Sequence, residues 1–107
     1  MNPSFRLSTL IAASLLCNGA TAGDGEFSII GLPDTQNYSE AFPQVFMSQT
    51  SWVANQIANL DVRFVTHYGD IVDNADVDGE WLNADEAMRV LDATSVPQGV
   101  TSGNHDI

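Results

Sequence analysis

With 107 residues, 44% of them hydrophobic and 16% charged, the chain has the size of one small globular domain and is too apolar for a disordered one. Fourteen acidic residues face three arginines and no lysine, for a net charge of −11. That balance excludes a basic surface for nucleic-acid backbones or anionic membranes, and the single cysteine, Cys17, excludes a disulfide framework or a zinc–thiolate site.

Arg6 is the only charge ahead of an apolar run from Leu7 to Leu16, and Ala20-Thr21-Ala22 supplies a small-x-small cleavage pattern before Gly23. These features predict a signal peptide over residues 1–22. An apolar run of this length is too short for a bilayer core of about 30 Å, which needs about 20 helical residues. Cleavage after Ala22 removes Cys17 and leaves residues 23–107 as the mature piece. Fourteen acidic residues against Arg63 and Arg89 then give it a charge of −12. The expected location is secreted, periplasmic or extracellular, with no membrane anchor after cleavage and a surface suited to binding cations.

In chain order, Glu26–Leu32 is an apolar, β-branched run of strand length ended by Pro33, and its near-continuous apolarity predicts a strand covered on both faces. Asp34 to Ser39 reads as polar loop. Val45, Phe46, Gln49, Trp52, Val53, Ile57 and Leu60 then recur at helical steps, predicting a helix over about 41–59 with Trp52 and Val53 centred on its buried stripe. Val62–Tyr68 is a second strand closed by Gly69. Trp81, Leu82, Ala84, Ala87, Met88 and Leu91 mark a helix over about 80–93, and a short third strand follows near 99–102. The pattern is β-α-β-α-β, an α/β arrangement in which right-handed crossovers place each post-strand loop at the carboxyl edge of one parallel sheet.

Three polar blocks occupy those loops. Pro33-Asp34-Thr35-Gln36, Gly69-Asp70-Ile71-Val72-Asp73 and Gly103-Asn104-His105-Asp106 each follow a strand, at spacings of 36 residues from Asp34 to Asp70 and 34 from Asp70 to Asn104. Asp34, Asp70, Asp73 and Asp106 brought together as bare carboxylates would repel one another strongly. Oxygen, amide and imidazole groups without thiolate suit hard or borderline divalent ions such as Mn²⁺, Mg²⁺, Fe or Zn²⁺. Two such ions about 3.5–4 Å apart generate a hydroxide nucleophile near neutral pH and clamp an in-line phosphoryl displacement.

These motifs resemble those of the calcineurin-like metallophosphoesterases. The resemblance covers essentially all of residues 23–107. It implies the front half of a two-layer α/β sandwich metallophosphoesterase fold, with a centre of two divalent metal ions at the strand ends. It further implies Asp34 as a ligand of the first metal, Asp70 as the bridge between the two, and Asn104 as a ligand of the second through its amide oxygen. His105 would be the general acid toward the leaving-group oxygen, a role its ordinary pKa near 6.5 suits. Asp106 would orient His105, while Asp73 would hold the loop or a bound water. The substrate class implied is a small-molecule phosphate mono- or diester.

Two departures are visible. The family's first block reads Asp-x-His, whereas Gln36 stands in the histidine's place here, a weaker donor through its amide oxygen. The family's later ligands, an isolated histidine and a Gly-His-x-His block, have no counterpart among the two histidines, His67 and His105. The expectation is therefore an N-terminal part of a longer phosphoesterase, inactive by itself. His67, inside an apolar strand, is expected to be a core or supporting histidine. A different function class, a non-enzymatic calcium-binding module, would use the acidic loop 74–85, whose Asn74, Asp76, Asp78, Gly79 and Asp85 follow calcium-loop spacing with Asn first and Asp last. An aspartate-nucleophile phosphatase at Asp34 is disfavoured, because that chemistry wants an acidic residue at position 36.

Overall fold

The computed structural model of the protein describes residues 21–107. All but the last two residues of the expected signal peptide lie outside the described residues. The elements are β1 (Ser28–Leu32), α1 (Gln36–Ala41), α2 (Pro43–Gln56), β2 (Val62–His67), α3 (Asp78–Asp92) and β3 (Gln98–Val100), followed by a 3₁₀ turn over Asn104–Asp106. The three strands form one parallel sheet in the order β1-β2-β3. In register, Leu32 lies beside His67 and His67 beside Val100, so the three strands end level and their following loops leave from one edge.

The expected single helix over 41–59 is two helices. Phe42 leaves helical geometry at φ −135°, ψ 54°, because the ring of Pro43 disfavours the α conformation in the residue before it. Pro43 then opens α2 at a first-turn position, where its missing N–H costs nothing. Upstream, Asp34 and Thr35 start α1 in the stretch expected to be loop. The Gln36 N–H donates to Asp34 Oδ1 (3.0 Å), and the Tyr38 and Ser39 N–H groups donate to the Thr35 carbonyl (both 2.9 Å).

Consecutive strand order with right-handed crossovers puts both long helices on the same face of the sheet, where α2 and α3 pack against each other and α1 packs against both. The core between helices and sheet is Leu32, Phe46, Val53, Val62, Val65, Val72, Ala84, Ala87 and Leu91. The buried line of α2 runs Phe46–Thr50–Val53. Val53 is on it as expected, but Trp52 is not: its side chain is half exposed, because the helix turns about 100° per residue and carries its neighbour off the stripe. Trp81 packs beside the core and donates its indole N–H to the Ala75 carbonyl (2.8 Å).

The expectation that β1 is covered on both faces is corrected. Ile29 is 60% exposed, since no described element lies over the face opposite the helices. On that face the Tyr68 ring lies against Gly31 and the Phe64 ring against Gly99.

Phe46 is fully buried and its ring faces that of His67 at a centroid distance of 5.9 Å. Phe46→Ala is expected to destabilise the chain by about 3–5 kcal/mol through lost burial and a residual cavity, measured by urea unfolding.

Candidate metal centre

The three loops are fastened to one another by hydrogen bonds between residues more than thirty positions apart. From the first loop, the Thr35 N–H donates to the Asp70 carbonyl (3.0 Å), while the hydroxyls of Thr35 and Ser39 donate to the Ile71 carbonyl. The second-loop N–H groups of Ile71 and Val72 donate to the Asp106 carboxylate of the third loop at 2.8 and 3.1 Å, and that carboxylate also takes the Gly103 N–H of its own loop (2.8 Å). Parallel strands ending level make this convergence possible, because each loop starts within one strand spacing of the next.

Asp70 occupies the end of the central strand in an uncommon backbone state. Gly69 and Asp70 have φ of +96° and +50°, two successive left-handed residues. Glycine reaches that region without penalty, and Gly69 is obligatory for a second reason: a Cβ there would run into the backbone of Gly103. Asp tolerates positive φ better than most residues. Such a conformation costs of order 1 kcal/mol and persists only where the surroundings fix it. They do so here, for Asp70 Oδ1 accepts the His105 N–H (3.0 Å) and lies directly against Gly103.

His105 takes a different partner from the one expected. Its Nδ1 lies 2.8 Å from the Asp73 carbonyl oxygen and 3.4 Å from the Asp73 carboxylate. A carbonyl can only accept, so Nδ1 carries hydrogen and Nε2 is the free ring atom. The Asp73 carbonyl raises the His105 pKa above its ordinary value; partial burial opposes the rise, and the carboxylates of Asp70, Asp73 and Asp34 add to it. Asp106, expected to orient this ring, instead has its carboxylate filled by backbone N–H groups. Burial alone would push the Asp106 pKa up, but those amides outweigh it and hold it below the ordinary carboxylate value. Asp73 is the orienting residue, and it also accepts from Gln36 Nε2 (3.1 Å) and Asn74 Nδ2 (3.1 Å).

The other expected ligands lie at the rim. Asp34 is exposed, with Oδ1 on the Gln36 N–H; its charge adds to the raised pKa of His105 and works against the burial that lowers that of His67. Gln36 opens α1, and its donation to Asp73 leaves Oε1 as its free donor oxygen. Asn104, exposed, opens the 3₁₀ turn. Asp34, Gln36, Asp70 and Asn104 are thus brought to one edge, and they offer oxygen without thiolate, chemistry that fits a hard divalent ion. Among the described residues, no group of three or more His, Cys, Asp or Glu side chains could hold a metal ion. A ligand set built here would need the two amides as well as the two carboxylates.

The acidic stretch 74–85 is organised internally. The buried carboxylate of Glu80 accepts the N–H groups of Asp73 (2.7 Å) and Asn74 (2.9 Å) and the Asn74 side-chain amide (3.0 Å). Burial raises its pKa, and these donors together bring it below the ordinary value. Asp85 is paired with Arg89 one turn on (2.8 Å). Sequence reasoning missed Glu80, although an acidic residue in the first turn of a helix is a recognisable signal.

Asp106→Asn places an amide N–H against one of the backbone N–H groups now on the carboxylate. We expect a loss of about 2–3 kcal/mol. Because the folded pKa is lowered, the wild-type contribution is fully present above the ordinary value of 3.8 and is lost as pH falls through it to the folded value. The variant should therefore show a flatter acid limb in unfolding followed from pH 7 down to pH 2.

No protein-family model matches the chain, and no solved structure matches it. The chain is similar to the uncharacterized protein YvnB of Bacillus subtilis strain 168, with 41% identity over 81 residues. That match covers 76% of this chain and 6% of the much longer relative.

Proposed function

We propose that the three loops form part of the dinuclear metal centre of a calcineurin-like metallophosphoesterase, and that the sheet is the front half of that family's two-layer sandwich. In this reading the protein is exported by its N-terminal signal and hydrolyses phosphate mono- or diesters. The observation that carries the proposal is the convergence of Asp34, Asp70 and Asn104-His105 at the level ends of three consecutive parallel strands, with Asp70 held in a left-handed turn at the centre.

Charge supports the reading. A phosphoester is anionic, yet the three loops carry Asp34, Asp70, Asp73 and Asp106. The two arginines among the described residues are engaged elsewhere, Arg63 with Asp61 (2.7 Å) and Arg89 with Asp85 (2.8 Å). Among the described residues, neither arginine supplies positive charge to the cluster for binding such a substrate. Bound divalent ions would supply it, together with Lewis acidity toward water and phosphate. Asp34, Gln36, Asp70 and Asn104 would hold them through oxygen.

His105 is suited to proton donation. With Nδ1–H fixed on the Asp73 carbonyl, Nε2 is the atom that gives its proton to the leaving-group oxygen as the P–O bond breaks, and water adds to phosphorus. A histidine's ordinary pKa near 6.5 leaves a protonated fraction near neutral pH, which suits a general acid. The calcium-module alternative draws no support from the loop 74–85, where Glu80 and Asp85 are already engaged by amides and by Arg89.

The test is hydrolysis of p-nitrophenyl phosphate and bis-p-nitrophenyl phosphate with Mn²⁺, using the complete gene product. His105→Ala is expected to lower turnover by about 10²–10⁴-fold, and Asp70→Asn to abolish Mn²⁺ stimulation, with folding retained in both. Turnover near wild type in either variant contradicts the assigned roles.

A further inference from the structure

His67 ends β2 and is 1% exposed. Three of its polar groups each reach a different loop. Its carbonyl accepts both the N–H (3.1 Å) and the hydroxyl (3.0 Å) of Thr101, at the head of the third loop. Its Nδ1 lies 3.1 Å from the Gly69 nitrogen, inside the second loop. Its Nε2 lies 2.9 Å from Thr35 Oγ1, inside the first. A backbone N–H can only donate, so Nδ1 is the acceptor and the ring hydrogen sits on Nε2, which donates to Thr35. Thr35 passes its own hydroxyl hydrogen to the Ile71 carbonyl (3.2 Å). An imidazolium would set Nδ1–H against the Gly69 N–H, and burial pushes the pKa of the ring down, against the pull of Asp106 and Asp34.

Thr35 and Gly69 are the immediate neighbours of Asp34 and Asp70. The ring therefore links the residue after Asp34 to the residue before Asp70. We propose that His67, as the neutral Nε2–H tautomer, is a positioning residue for the candidate metal centre: it sets the separation of Asp34 and Asp70 by fastening Thr35 and Gly69 to one rigid ring. The proposal rests on the metal-centre reading above. A histidine merely filling the core would need only its packing against Phe46. Here both ring nitrogens are satisfied, one by each of two loops carrying expected ligands.

The experiment begins with the wild-type chain and needs no mutation. Long-range ¹H–¹⁵N correlation of the His67 ring between pH 5.5 and 8 should show Nε2 protonated and Nδ1 bare. An Nδ1–H ring, or an imidazolium at pH 7, overturns the proposal. Mn²⁺ is then titrated into the wild type, His67→Gln and His67→Phe, well below their unfolding temperatures. Phe keeps the ring packing on Phe46 and loses both hydrogen bonds, whereas Gln can still donate to Thr35. The dissociation constant should rise about 10- to 100-fold in His67→Phe, with most of the loss recovered in His67→Gln. Wild-type affinity in His67→Phe overturns the positioning role, and so does a Gln variant no better than Phe. If Mn²⁺ leaves the Asp34 and Asp70 resonances of the wild type unbroadened, the metal-centre reading fails and takes the positioning role with it. That outcome does not touch the tautomer, so the two failures are read separately.

Discussion

Everything at the carboxyl edge of this sheet depends on the backbone of residues 69–70 passing directly against Gly103. That approach admits no side chain at Gly69 and forces two successive left-handed residues, which in turn aims the Asp70 carboxylate at the third loop. The strain is held by ordinary hydrogen bonds: Asp70 onto the His105 N–H, and Asp106 onto amides from both sides of the contact. An arrangement of this kind stays rigid because its donors are backbone groups, which lose no rotamer freedom when they bind.

Around that contact, the acidic side chains divide into two kinds. Glu80 and Asp106 are filled by backbone amides and have lowered pKa values; their work is to close loops. Asp34 and Asp70 each keep an oxygen without a partner among the described hydrogen bonds, Asp34 at the exposed rim and Asp70 against the third loop. The difference lies in position relative to the chain's free N–H groups. A carboxylate beside a turn or a helix start collects those donors, while one projecting past the strand ends meets solvent or a cation. His105 stands between the two kinds, its ring fixed by the Asp73 carbonyl and its Nε2 without a partner among the described hydrogen bonds.

The fold was largely legible from residue pattern. Strand and helix periodicities placed all three strands and both long helices within a few residues of where they lie, and the polar blocks fell in the loops at the carboxyl edge. The misses have local physical causes. The α1 helix was hidden because Asp34 and Thr35 begin a helix in a stretch whose polar composition reads as loop. Helical periodicity puts Trp52 and Val53 together on the stripe, yet the buried line Phe46–Thr50–Val53 passes one position away from Trp52. Ile29 was expected to be covered because an apolar strand reads the same whether one or both faces are packed.

The amino-acid sequence by itself determined the order of strands and helices, the position of the three polar loops at one edge, and the oxygen-rich character of the cluster. These follow from periodicity and turn chemistry, which act over a few residues. Only the tertiary structure decided that Asp73 rather than Asp106 faces the His105 ring, and that His67 joins the first loop to the second. The Asp73–His105 and Thr35–His67 partnerships each link residues 32 positions apart. They are set by how three parallel strands end level and by which loop backbone must fit against Gly103, geometry that no local pattern of side chains encodes.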